Sequence, residues 1–286
     1  MISDITLGQF FPGYSPLHKL DPRTKIILTI FFIVGVFQAN TPLAFFFITV
    51  LTLFLIAISK ISIKIILRGI KPILFILIFT SLINLFMTVG EGDPIVKLWV
   101  LKIYKEGVFR AIFMSLRVIL LIVGTSMFLT YTTSPISLTD GLESLLKPLK
   151  YIGVPVHLFA MMMTIALRFI PTLVEETEKI MNAQKSRGAD FSSGSLVKRA
   201  KALIPLLVPL FVSSFKRAEE LATAMECRCY RGDKNRTKYV ELKYRRRDVL
   251  WLCTSFVLLL AVIFLRGTVN RMQIDGLFES ILFYRI

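Results

Sequence analysis

The chain alternates between long apolar runs and shorter segments rich in polar or basic residues. Five of the runs approach or exceed the ~17–25 residues that a helix needs to cross a bilayer. They cover about residues 25–39, 42–58, 73–89, 108–130 and 249–265. Asp21 followed by Pro22 predicts the start of the first helix, because a capping carboxylate and a first-turn proline are typical of a helix N-terminus. The lysine- and arginine-rich segment 59–72 is predicted to be a basic loop.

Two further segments have helical periodicity but carry many charges. The first arm runs from about Pro155 to Arg187, and the second arm runs from about Ser195 to Cys229. In both, apolar residues recur every three or four positions. The stripes are Leu158, Met162, Ile165, Phe169 and Leu173 in the first arm, and Leu196, Ala200, Leu203, Leu207, Leu210, Ser214, Ala218, Leu221 and Met225 in the second. The charges predict that neither arm crosses the bilayer, while stripes of this length need cover from each other, from the membrane surface or from partner proteins.

These patterns predict an all-α membrane protein with about five transmembrane helices and a domain of long amphipathic helices. We expect residues 1–130 to hold an N-terminal segment and the first four transmembrane helices, 131–248 to form the arm domain, and 249–286 to hold the last transmembrane helix and a tail. Lysine and arginine collect in cytoplasmic loops, so the basic arm domain is predicted to be cytoplasmic. The N-terminus is then cytoplasmic too.

Composition supports a membrane location and excludes several functions. Of the 286 residues 55% are hydrophobic, 24 are phenylalanine, and the mean hydropathy is +0.68, above what soluble domains show. The net charge of +16 is explained by cytoplasmic loops, so nucleic acid is not expected as a partner. Cys227 and Cys229 form one C-x-C pair with no second pair near it, and His18 and His157 are distant, so neither a zinc site nor another cofactor is predicted.

Catalytic signatures are missing from the sequence. It has no phosphate-binding loop of the G-x-x-x-x-G-K-[ST] type, no H-E-x-x-H and no G-x-S-x-G, so we predict no catalytic residues and no enzyme. Two alternatives stay open. Arg117 and Asn84 lie inside apolar runs, as in a stand-alone permease with a substrate path through its own helices. The carboxylates between Glu175 and Glu178 could belong to a membrane-bound enzyme. For Arg117 we favour a structural role, facing protein or a lipid headgroup.

The ends of the arms are the strongest candidate site. Arg187 is followed by Gly188, and Arg228 is followed by Cys229 with Gly232 just beyond. A single arginine there would be explained by its attraction to the last carbonyls of a helix. Two long arms that both end in arginine favour docking instead, because the planar guanidinium binds carboxylates through two hydrogen bonds.

Three prolines lie inside the predicted arms, Pro171 in the first and Pro205 and Pro209 in the second. Within a helix each proline removes a backbone hydrogen bond. They predict either simple bends or hinges in an arm that bears force.

The arm sequences also carry a resemblance to a known family. The residues concerned are ALRFIP at 166–171, AQKSRGADF at 183–191 and RAEELATAMECRCY at 217–230, with Pro12-Gly13, 17–25 and 138–143 in support. Over nearly its whole length the chain resembles EcfT, the transmembrane coupling subunit of energy-coupling factor (ECF) transporters, which is related to the CbiQ cobalt-transport subunit. That family has short Ala-Arg-Gly motifs at the ends of its coupling helices. They stand here as Ser186-Arg187-Gly188 and Cys227-Arg228-Cys229, so the second lacks its glycine.

The resemblance implies a non-enzymatic subunit of an ATP-driven vitamin or metal importer in the cell membrane. Each motif arginine would dock on one of two cytoplasmic ATP-binding subunits. The apolar faces of the arms would hold a membrane-embedded substrate-binding subunit. ATP-driven closure of the ATP-binding subunits would move the arms and tilt that subunit across the bilayer.

Overall fold

The computed structural model describes residues 10–88, 96–98, 101–189, 191, 195–232 and 242–274. These residues divide into two compact units. We call residues 10–141 with 242–274 the membrane unit, and residues 142–232 the arm unit. The predicted domain boundaries at 130 and 248 stay a prediction.

Helices dominate the described residues. They are α1 Pro22–Gln38, α2 Pro42–Ser59, α3 Ile63–Ile70, α4 Leu74–Met87, α5 Lys105–Thr125, α6 Pro135–Leu145, α7 Val156–Ser186, α8 Leu196–Cys227 and α9 Arg246–Ile274. A short 3-10 helix, Lys71–Ile73, joins α3 to α4, a π-helical turn, Ser126–Thr130, ends α5, and a second 3-10 helix, Lys147–Ile152, precedes α7. Two three-residue strands, β1 Val96–Leu98 and β2 Leu101–Ile103, pair antiparallel between α4 and α5. The all-α prediction is confirmed apart from this small hairpin.

Helix α1 starts where the sequence predicts. The carboxylate of Asp21 accepts a hydrogen bond from the backbone N–H of Arg23 at 2.9 Å, and Pro22 fills the first position. Asp248, near the start of α9, is 1% exposed. It accepts backbone N–H groups from Asp21 at 2.9 Å and from Arg245 at 2.7 Å. The carboxylate therefore joins the first turns of α1 and α9, which run parallel from this point.

The core of the membrane unit lies between α1, α2, α5 and α9. Its largest fully buried side chains include Phe45, Leu17 and Leu28. At Gly124 of α5 a Cβ atom would lie 2.1 Å from the ring of Phe32. Only glycine therefore lets α1 approach α5 this closely.

The prediction of a basic loop at 59–72 is wrong in part, because α3 occupies Ile63–Ile70. Ile66 is buried with Val123, Met127 and Tyr131. Basic residues stay on the exposed face of α3, so the segment is an amphipathic helix. Its apolar residues, rather than its charges, decide the local structure.

Length and composition qualify five segments to cross a membrane. They are Pro42–Ser59, Ile63–Met87, Gly107–Thr130, Val156–Ser186 and Arg246–Arg266. The number agrees with the prediction, but the set differs. Helix α1 has only 17 residues, and the first arm qualifies although it was predicted to be too polar. The reason is that its charges concentrate in the second half, after Arg168.

The arms are the two long helices of the arm unit, α7 with 31 residues and α8 with 32. They pack against each other. The predicted stripe of α8 is only partly correct. Leu206 is 4% exposed, whereas Leu203 and Leu207, which were predicted on the packed face, are exposed. The packed face is therefore rotated by about one residue in the first half of the arm.

Candidate docking site at the arm tips

The first arm tip is a helix end closed by a left-handed residue. The chain leaves α7 through Arg187 at the C-cap, and Gly188 follows with φ +85°. The N–H of Gly188 donates to the carbonyl of Lys185 at 2.9 Å, and the N–H of Ala189 donates to that of Gln184 at 3.0 Å. These two bonds define a Schellman motif. The predicted glycine cap is confirmed.

The second arm tip repeats this backbone geometry without glycine. Cys229, two residues after the end of α8, has φ +57°. Its N–H donates to the carbonyl of Glu226 at 2.8 Å, and the N–H of Tyr230 donates to that of Met225 at 3.0 Å. The motif is again of the Schellman type, and Arg228 holds the position that Arg187 holds in the first arm.

The left-handed conformation of Cys229 is sterically strained. A side chain at positive φ brings Cβ close to the following carbonyl and costs roughly 1–2 kcal/mol. Gly232 also has positive φ, at +77°. It lies beyond the Schellman motif and is not part of it. The missing glycine of the second tip thus leaves the geometry intact and places strain at Cys229.

Both tip arginines are exposed, as are Ser186, Cys227 and Cys229 beside them. Within the described part of the chain neither guanidinium pairs with a carboxylate. The hydroxyl of Ser186 donates to the carbonyl of Asn182 at 3.1 Å, so it is satisfied within its own helix. Each tip therefore presents one fixed-charge cation with its five donors available to a partner.

An ion pair joins the two arms behind the tips. Arg217 of α8 donates to Glu176 of α7 at 2.9 Å, and Ser213 of α8 donates to the other oxygen of the same carboxylate. Glu176 belongs to the carboxylate cluster that the sequence left open as a candidate enzyme site. Both its oxygens are engaged in holding the arms together, which gives it a structural role.

This ion pair stands at equal distances from the two tips. Arg187 lies eleven positions after Glu176, and Arg228 lies eleven positions after Arg217. At 1.5 Å per residue each tip lies about 16 Å beyond the pair. The two arms therefore extend as equal levers from one fixed contact. The sequence analysis did not find this contact, because nothing local links residues 41 positions apart.

An exposed apolar stripe runs along the middle of α8. It consists of Ile204, Val208, Phe211, Val212 and Phe215. Phe211 and Phe215 are 63% and 70% exposed, and their rings stack with centroids 6.1 Å apart. None of the five was in the predicted stripe. Exposed apolar patches of this kind mark surfaces that contact a partner or the membrane.

The three prolines lie inside continuous helices, Pro171 in α7 and Pro205 and Pro209 in α8. Neither arm is interrupted at these positions. A hinge function for them stays a prediction.

The two residues that suggested a permease have structural partners. Arg117 donates to the carbonyl of Ala39, the C-cap of α1, at 2.7 Å, and it lies over the ring of Phe45 with 5.3 Å to the centroid. Asn84 donates to the carbonyl of Thr80 on its own helix at 2.9 Å. The prediction that Arg117 faces protein is therefore confirmed, and Asn84 also has a partner on its own helix.

Comparison with known proteins identifies the family. The model of the CbiQ family, described as cobalt transport protein, matches residues 13–239. The energy-coupling factor transporter transmembrane protein EcfT of Clostridium kluyveri is 54% identical over 258 residues, which cover 90% of this chain and 95% of that protein. EcfT of Bacillus subtilis is 46% identical over 267 residues, which cover 93% of this chain and 100% of that protein.

The chain belongs to the EcfT family. Members are transmembrane components of energy-coupling factor transporters, so this chain is a multi-pass membrane protein that works within a transporter complex. EcfT relatives are not named as catalytic subunits. The resemblance of the chain to this family is thereby confirmed.

Proposed function

We propose that this chain is the coupling subunit of an ATP-driven importer and that its arm tips dock on two cytoplasmic ATP-binding subunits. The observation that carries the proposal is the repeated tip geometry. Two helices of different sequence end in the same Schellman motif with an exposed arginine at the same position. A cap that served only its own helix would not need an arginine in both places, since the motif satisfies the carbonyls through backbone N–H groups.

The arms transmit motion between partners. A helix is stiff along its axis, and the Glu176–Arg217 ion pair fixes the arms to each other, so displacement of the tips moves the whole pair of helices. Pro171, Pro205 and Pro209 serve as the positions where the arms bend. Hydrolysis of ATP takes place in the partner subunits.

The stripe from Ile204 to Phe215 holds a membrane-embedded substrate-binding subunit. Two phenylalanines on one helix face provide a large apolar area with few rotatable bonds. Such a surface can bind the substrate-binding subunit firmly enough to move it with the arm. The transported substrate is a vitamin or a metal ion and is selected by that subunit. The charged tips of the arms lie on the cytoplasmic side, in agreement with the positive-inside rule. The parallel course of α1 and α9 agrees with this orientation.

Co-purification tests the docking claim. The wild-type chain should retain both tagged ATP-binding subunits in detergent. The double variant Arg187→Glu with Arg228→Glu should bind at least about a hundredfold more weakly, because breaking a buried charge pair costs roughly 3–5 kcal/mol at each tip. The control is Lys179→Glu with Lys216→Glu, which makes the same change of charge at exposed sites on the same arms. Equal retention of the ATP-binding subunits by the double-tip variant and the wild type would refute the proposal.

A further inference from the structure

The membrane unit contains an open groove whose walls are formed by α1, α2 and α9. Its volume is about 270 Å³. Buried core residues such as Leu28, Phe32 and Leu55 form the floor, while the partly exposed rings of Phe54 and Trp251 line its edges. Helices α2 and α9 are among the segments long and apolar enough to cross a membrane, and α1 packs against both.

The lining of the groove is almost entirely apolar. Apart from Thr254 and Ser255, every lining residue is apolar or glycine. Both hydroxyls are already satisfied, because Thr254 donates to the carbonyl of Leu250 at 2.8 Å and Ser255 donates to that of Leu252 at 2.9 Å. A ligand in this groove would therefore be held by apolar contacts, and a hydrocarbon chain makes contacts of that kind.

One end of the groove is strongly basic. Arg246 and Arg247 occupy the first turn of α9, three or four residues before the lining residues Leu250 and Trp251, and so lie on the same helix face. Both arginines are exposed, and in the described structure neither pairs with a carboxylate. The neighbouring Asp248 is buried, and its oxygens accept backbone N–H groups. The carboxylate of Asp248 therefore does not pair with Arg246 or Arg247.

The starts of α1 and α9 meet at this basic end, where the carboxylates of Asp21 and Asp248 already accept backbone N–H groups. The exposed Arg246 and Arg247 therefore provide the positive charge for an anion. Trp251 lies one turn inside the arginines, the order in which aromatic and basic residues occur at a membrane interface. The groove thus combines a hydrocarbon-sized channel with an anion-binding end at the level of the headgroups.

We propose that this groove binds one anionic phospholipid, with an acyl chain between α1, α2 and α9 and the phosphate at Arg246 and Arg247. The lipid completes the packing of α9 against α1 and α2. A neutral phospholipid fits the hydrocarbon part equally well but lacks the net charge that the arginines select. Each arginine should favour the anionic lipid about fivefold, from the usual attraction of one basic residue to an anionic surface.

Native mass spectrometry of the delipidated full chain tests this proposal, with phosphatidylglycerol and phosphatidylcholine as probes. The wild type should retain one phosphatidylglycerol in preference to phosphatidylcholine, and Arg246→Gln with Arg247→Gln should remove the preference. The matched control is Lys64→Gln with Arg68→Gln, which removes two exposed charges from α3. Loss of the preference in the control as well would contradict the proposal, as would its absence in the wild type.

Filling the groove tests the acyl-chain site separately. A Cβ on Gly35 would lie 3.9 Å from the nearest atom, a methyl of Leu259, so Gly35→Leu should enter the groove without a backbone clash. Ser255→Leu fills the opposite wall if the first variant folds poorly, and Cys253→Leu, outside the lining, is the control. Both filled variants should lose the retained phosphatidylglycerol. Undiminished retention of the lipid by the filled variants, or occupation of the groove by a partner subunit instead, would overturn the proposal.

Discussion

Both clusters of buried apolar side chains in the described structure lie in the membrane unit, whereas the arm unit buries few apolar residues and leaves cationic groups exposed. In the membrane unit the carboxylate of Asp248 and the guanidinium of Arg117 both find backbone partners. In the described arm unit the buried apolar residues are Val156, Ala160 and Leu206. Rings as large as that of Phe215 remain exposed.

This difference indicates that the two units have different roles. A unit with a continuous buried core can hold its shape in the bilayer without a partner subunit. The arm unit has little core of its own, and its exposed apolar stripe and tip arginines are surfaces that partners can cover. Changes in the membrane unit should therefore act on folding, and changes in the arm unit should act on assembly and transport.

The largest effect is expected from the exposed stripe of α8. Replacing Phe211 and Phe215 by serine should abolish transport, because burial of each ring contributes about 1.5–3 kcal/mol to binding of the substrate-binding subunit. Co-purification of that subunit with the chain measures the loss. Retention of the ATP-binding subunits and the melting temperature of the chain should not change. The double variant keeping the substrate-binding subunit would contradict our assignment of the stripe.

In the membrane unit, Gly124→Ala should destabilise the fold by about 1–3 kcal/mol, because the added methyl group meets the ring of Phe32 and overpacks the core. Thermal unfolding in detergent gives the measurement. Gly35→Ala is a matched control on α1, where the new methyl has room. If both alanine variants unfold at the same temperature, the close contact between α1 and α5 is not a constraint on folding.

An intermediate effect is expected at the contact between the arms. Glu176→Gln should weaken the pair with Arg217 by about 1 kcal/mol, since the contact is partly exposed to solvent. Spin labels on the two tips should then report a broader distribution of distances by electron paramagnetic resonance. Glu175→Gln, at an exposed neighbouring position, should leave the distribution narrow. Equal distributions for all three proteins would show that the ion pair does not align the arms.

The smallest effect concerns the strained second tip. Cys229→Gly should stabilise the end of α8 by about 1 kcal/mol, because glycine adopts positive φ without a steric penalty. The backbone amides in the last turn of α8 should then exchange their hydrogens more slowly, which hydrogen exchange measures. Cys227→Gly, inside the helix, should have the opposite sign. Faster exchange in Cys229→Gly would be inconsistent with the Schellman geometry described for this tip.

The helix ends could be predicted from the sequence, because each is set by a few neighbouring residues. Asp21 with Pro22 and Arg187 with Gly188 mark helix ends through caps that depend on neighbouring residues only. The packed face of α8 was harder to predict, because apolar residues occur all around the helix between Leu203 and Phe215. Periodicity cannot select one face in such a segment, and the contact with α7 decides it. The Glu176–Arg217 pair likewise exists only once both arms are folded.

Docking of the arm tips on ATP-binding subunits is the central claim, and the native cysteines test it directly. Cys227 and Cys229 flank Arg228 and are exposed, so a water-soluble maleimide should label them readily in the free chain. Addition of the ATP-binding subunits should protect both from labelling, and Ser186→Cys should report the same protection at the first tip. Labelling at unchanged rates in a complex that has formed would contradict the account, because the arginine tips would then lie outside the interface.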